Sequence, residues 1–173
     1  MSHHIMLFPL LGMECDGRSV RFGQSRQEVE ALLGAPEFIR ANRSYYNNSE
    51  LALDFDGDGT LEFIEFLGGA DSELRPELYG QDVFASDADE LLDLLSGRNG
   101  DDIDDSEAGY AYALRALSIG LYREITPEDV NAMLKEICNM DLTRMSGIGI
   151  EEEQKKAHYW ATVGIGRENY YAK

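Results

Sequence analysis

The chain has 173 residues, 43% of them apolar, which is enough for a full core and rules out wholesale disorder. Its net charge of −18 is concentrated: residues 50–107 hold nineteen acids against two arginines, net −17, while residues 1–49 are neutral and residues 108–173 carry −1. Such a field repels nucleic acid and anionic membranes and attracts a basic protein or a metal ion.

The first residues include a short apolar run, 5–11, read as an edge strand that Pro9 interrupts. The run has no basic flank and no small-residue cleavage site, so no signal peptide is expected. No stretch reaches the roughly eighteen apolar residues of a membrane span. Cys15 and Cys138 are far apart and outside any CxxC spacing, which suits a reducing compartment, so the expected location is cytoplasmic.

Asp16-Gly17 makes a turn, and residues 19–23 alternate as a short strand. Ser25 and Glu28 then form a capping box, in which the serine oxygen accepts the Glu28 N–H and the glutamate reaches back. The helix runs through Val29, Leu32 and Leu33, with Gly34 as its left-handed stop and Pro36 preventing resumption. Residues 38–46 read as a strand or an extended arm, and residues 47–50 as a turn.

Leu51, Leu53 and Phe55 alternate with Ala52 and Asp54, Asp-Gly dipeptides turn the chain, and residues 61–66 return it. That is a β-hairpin. The same residues also match a calcium loop completely, with Asp54, Asp56 and Asp58 at positions 1, 3 and 5, Gly59 at 6 and Glu65 at 12. An EF-hand needs a helix on each side. The period-two pattern before Asp54 and Gly68-Gly69 after Glu65 argue against both helices, so the leading expectation is a hairpin, with Asp54, Asp56, Asp58 and Glu65 as candidate calcium ligands in the alternative reading.

Residues 68–80 read as a loop containing Pro76 and as the boundary between a half spanning 1–80 (helix plus hairpin) and a second α+β half spanning 81–173, packed together as one unit. Ser86 is the expected cap of a second helix whose buried face is Leu91, Leu92, Leu94 and Leu95 and which Ser96-Gly97 ends. Residues 98–107 read as an acidic loop. Residues 110–114 and 117–122 alternate as strands, and Thr126-Pro127 starts a third helix carrying Val130, Met133, Leu134 and Ile137. Residues 151–156 are polar with helical character, and residues 159–166 form a last strand before Tyr170 and Tyr171. The order strand, cap, leucine-rich helix, glycine stop occurs twice, in 20–34 and 83–97, which raises an internal duplication. The expected fold is α+β, with antiparallel sheet and two or three capped helices packed on one face, in two related halves.

No HExxH, GxSxG, P-loop or CxxC motif occurs, and the sequence cannot select a carboxylate pair from so many, so no enzyme and no bound cofactor are expected. Asp101, Asp102, Asp104 and Asp105 are the densest acidic run. With the aromatic pair Tyr170 and Tyr171 they are the candidate contacts for a partner.

The segment Gly23-Gln24-Ser25-Arg26-Gln27-Glu28-Val29-Glu30-Ala31-Leu32-Leu33-Gly34-Ala35-Pro36, followed by an aromatic residue and a hairpin, resembles the β-lactamase-inhibitor-protein-like module, in which such a helix packs on a small antiparallel sheet. The resemblance covers residues 19–67. The remainder, with Leu117-Ser118-Ile119-Gly120-Leu121-Tyr122-Arg123 and Trp160-Ala161-Thr162-Val163-Gly164-Ile165-Gly166, is similar to small uncharacterised bacterial proteins of immunity type. These resemblances imply a non-enzymatic bacterial protein that neutralises a basic protein partner. A calcium-binding protein is the alternative.

Overall fold

The computed structural model describes residues 3–100, 102–107, 109–139 and 149–172. Strands β1 (His3–Phe8), β2 (Gly12–Cys15) and β3 (Arg18–Arg21) lead into helix α1 (Arg26–Leu33). Then come β4 (Phe38–Arg40), β5 (Arg43–Tyr46), β6 (Leu51–Phe55), β7 (Leu61–Leu67), β8 (Leu74–Leu78) and β9 (Gln81–Asp82). Helix α2 (Ala88–Asn99) precedes β10 (Ile103–Glu107), β11 (Ala111–Leu114) and β12 (Ile119–Tyr122); helices α3 (Pro127–Asn139) and α4 (Ile150–His158) and strand β13 (Thr162–Gly166) close the order. The fold is α+β.

The strands make two sheets, one in the order β3-β2-β1-β8-β9 and one in the order β10-β11-β12-β13-β7-β6-β5-β4. The eight-stranded sheet is two antiparallel runs of four meeting at β7 and β13, with Glu65 opposite Gly164. One run, β4 to β7, follows α1; the other, β10 to β13, follows α2 and admits α3 and α4 between β12 and β13. A capped helix followed by four antiparallel strands therefore occurs twice, in step with the two helix signals in the sequence. The boundary at residue 80 falls between β8 and β9, which pair with each other, so both halves contribute to both sheets.

Local chemistry accounts for the helix starts. Ser25 and Glu28 form the full capping box on α1, and Thr126 and Asp129 exchange the equivalent bonds at the start of α3. One core joins the sheets and α2. Ile5, Met13 and Val20 from the smaller sheet pack with Leu53, Ile64, Phe66, Val163 and Ile165 from the larger and with Leu91 and Leu95 of α2. A small satellite cluster of Ile125, Val130 and Ala157 holds α3 to α4.

Five expectations are corrected. β1 is not an edge: it lies between β2 and a parallel β8, and Pro9 falls in the turn after it. The 68–80 segment is not all loop, because β8 runs through it. Pro76 is tolerated there because the ladder to β9 starts only at Glu77. Asp87, not Ser86, caps α2, accepting the N–H groups of Asp89 and Glu90. The helix also runs past Gly97 to Asn99, whose buried amide donates to Asp102 O and accepts from Leu117 N, contacts that outweigh the helix cost of one glycine. The acidic 98–107 segment contains an edge strand, β10, whose acids discourage pairing with another copy.

Candidate functional site

The hairpin residues come first because they matched a calcium loop. Leu51–Phe55 and Leu61–Leu67 are paired strands, so the helices of an EF-hand are absent at both flanks. Asp54 and Glu65 lie side by side on the face turned away from the core, where one guanidinium takes both: Arg43 bonds Asp54 at 2.8 Å and also bonds Glu65. Burial pushes the Asp54 carboxyl up, opposed by Arg43 and reinforced by Glu65. Asp56 faces the turn. It accepts the Thr60 N–H and hydroxyl and the Asp58 N–H, and it pairs with Arg167 at 2.7 Å. These bonds, the Thr60 ones foremost, lower its carboxyl to about 2. Asp58 points into solvent. The four carboxylates thus serve an arginine, a turn and solvent. Among the described residues no group of three or more acid, histidine or cysteine side chains is placed to hold a metal ion.

The outward face of the eight-stranded sheet is the more informative surface. Register places Ala111 and Ala113 of β11, Gly120 of β12 and Thr162 and Gly164 of β13 on it, each alternating with a core residue. This row of small side chains leaves a trough of about 270 Å3. Tyr122 and Tyr171 border it, and Glu65, Asp104 and Glu107 bring carboxylates to it. Tyr122 is 41% exposed. Glu107 is exposed as well.

Asp104 shares Arg115 with Asp102, at 2.7 and 3.5 Å, and its carboxyl is held below the ordinary range by the Ser106 N–H, with Arg115 adding to it. Asp105 is exposed beside them. Asp101 lies outside the described residues. Four acids at 102, 104, 105 and 107 therefore meet a single arginine along this edge, and the surplus is negative.

Tyr170 and Tyr171, the aromatic pair among the candidate partner contacts, are held in place by their own chain. They fold back onto the sheet, Tyr170 stacking on Phe63 at 4.5 Å and Tyr171 meeting the same ring edge-on at 6.0 Å. Glycine is required beneath them: a Cβ on Gly120 would lie 2.1 Å from the Tyr171 hydroxyl, and one on Gly166 would lie 2.5 Å from Tyr170 Cβ. Burial pushes the Tyr171 phenol far above its usual value. Arg167 anchors this turn on Asp56 and Glu62. The two tyrosines are thus anchored to their own chain, and Tyr171 serves as one wall of the trough.

Sequence reasoning did not single out Arg43 or the small-residue floor. Arg123 is 3% exposed and donates to Gly109 O, Ala157 O and Asp89 while lying over the Trp160 ring. It pins the α3–α4 excursion to the sheet. The floor did leave a signal: alanine or glycine at alternate positions 111 and 113, and 164 and 166, with Gly120 in the strand between. No protein-family model matches the chain, and comparison with curated proteins and with solved structures likewise finds no match.

Proposed function

We propose that this chain is a non-enzymatic binding protein of immunity type, acting in the bacterial cytoplasm, that neutralises a basic protein partner by docking it on the outward face of the eight-stranded sheet. The observation that carries this reading is the trough itself, with a small-residue floor between tyrosine walls and Glu65, Asp104 and Glu107 at its margins. A floor of alanine and glycine admits a protruding partner side chain, and the exposed carboxylate of Glu107 favours one that is positively charged. The −17 carried by residues 50–107 extends that attraction over a longer range and speeds encounter at low salt. It also disfavours nucleic acid. The resemblance of residues 19–67 to the β-lactamase-inhibitor-protein-like module also implies a binding role.

The test is affinity capture from the source cells with the wild-type chain and with Ala113→Trp, which fills the trough from an outward sheet position. The reading expects a basic protein that re-forms a stoichiometric complex when purified, is lost with Ala113→Trp and weakens steeply with salt. Capture unchanged by that substitution, or a partner that is not basic, overturns it.

A further inference from the structure

Glu107 is aimed at the trough by an irregularity in its strand. On a regular strand residues three apart point to opposite faces, yet Asp104 lies opposite Ala113 and Glu107 opposite Ala111, both outward positions. A register shift in β10 between the two acids makes this possible, a bulge of the kind that re-aims a side chain. The trough carboxylates then differ in what they hold. Asp104 meets Arg115, as Glu65 meets Arg43, whereas Glu107 is exposed and makes no ion pair among the described residues. Ala111 separates Glu107 from Tyr122, because register puts Glu107, Ala111 and Tyr122 in one row across β10, β11 and β12. Neighbouring strands run about 4.8 Å apart, so the carboxylate and the phenol ring rise from backbones about 10 Å apart with only a methyl group between them. This notch opens into the trough, whose floor continues through Ala113 and Gly120. Among the described residues no lysine or arginine lines it.

We propose that the notch over Ala111 is an arginine site, in which a guanidinium of the basic partner lies on the Tyr122 ring and donates to the Glu107 carboxylate. The inference rests on the docking reading above and names the side chain that anchors it. A planar guanidinium lies flat on an aromatic face while its edge N–H groups reach a carboxylate. It is also less strongly hydrated than an ammonium. Tyr122 is 41% exposed, so the notch is half open and an occupant gives up only part of its water for each contact. Arginine loses less in that exchange than lysine does. Ala113 and Gly120 leave room beside the notch for the aliphatic stem.

The test titrates the chain at low salt with three end-blocked tripeptides, Gly-Arg-Gly, Gly-Lys-Gly and Gly-citrulline-Gly, followed through the amide NMR signals of Ala113, Gly120, Tyr122 and Thr162. The arginine peptide should give saturable shifts and bind about two- to fivefold tighter than the lysine peptide, the range of a cation–ring contact at an exposed site. The citrulline peptide has the same shape without the charge and should not saturate. Tyr122→Leu removes the ring from an exposed strand position, and in it the arginine and lysine peptides should bind alike. Glu107→Gln should weaken both. Ala111→Leu fills the notch and should abolish the shifts. Equal affinity of the two cationic peptides for the wild type, a preference that survives Tyr122→Leu, saturation by the citrulline peptide, undiminished binding in Glu107→Gln, shifts that survive Ala111→Leu, or no saturable shift with the arginine peptide would each overturn the proposal. None of these results decides whether a basic partner docks on this face, a reading that fails separately if capture is unchanged by Ala113→Trp.

Discussion

Replacing Gly120 with alanine tests how the C-terminal tyrosines are held. The backbone at Gly120 is ordinary strand, so alanine is conformationally acceptable there and by itself should gain about 0.5–1 kcal/mol over glycine. The new Cβ would sit 2.1 Å from the Tyr171 hydroxyl and 2.7 Å from Cζ, so the ring must leave. Expelling a largely buried aromatic ring forfeits about 1.5–3 kcal/mol. The net expectation is a loss of about 1–2 kcal/mol. In a Tyr171→Ala background nothing remains to clash, and the same Gly120→Ala change should stabilise by about 0.5–1 kcal/mol. Urea unfolding of the four proteins gives the cycle. A near-ultraviolet titration adds a second readout: one of the nine tyrosines should move from well above the ordinary range to near pH 10 in Gly120→Ala. If Gly120→Ala destabilises equally with and without Tyr171, the glycine is not there to seat the ring and the reasoning fails.

Other expectations follow the same logic. Arg123→Met leaves the half-buried Gly109 and the buried Ala157 carbonyls without their donor and should cost about 3 kcal/mol by chemical denaturation, whereas a cost under about 0.5 kcal/mol would mean they find water instead. Asp56 titrates near 2 in the fold and near 4 when unfolded, so its contribution to stability is present above about pH 4 and is lost as pH falls toward about 2. Asp56→Asn should therefore flatten the acid limb of a melting-temperature profile, and an unchanged limb would contradict the bonds to Thr60. Millimolar calcium should leave the amide signals of Gly57 and Gly59 in place, because Arg43 already occupies Asp54 and Glu65. A saturable shift there would restore the calcium reading.

What the sequence made legible was local. The capping box at Ser25, the Asp-Gly hairpin and the Thr126-Pro127 helix start each depend on residues within about five positions of one another, and all three formed. What it hid depended on distant partners. β1 becomes a central strand only because β8 pairs with it from about seventy residues away, in the parallel sense that no turn dipeptide announces. α2 outruns Gly97 because Asn99 reaches Asp102 and Leu117. Tyr170 and Tyr171 stand together in the sequence, but their seats on Phe63, Gly120 and Gly166 come from strands far along the chain. The acids of the hairpin suggest a cation, and the cation they find is Arg43, eleven residues before Asp54 and twenty-two before Glu65. The trough floor was readable in principle, since Ala111, Ala113, Gly120 and Gly164 all alternate with core residues. Only the strand register shows that they share a face.

The most direct test of the docking surface is an amide NMR map of the chain titrated with its captured basic partner. The account predicts that the largest shifts fall on Ala111, Ala113, Gly120, Tyr122, Thr162 and Gly164, with Asp104 and Glu107 beside them, and that they fade as salt is raised. Shifts confined to the outward face of the five-stranded sheet or to α3, with the trough residues unmoved, would contradict it.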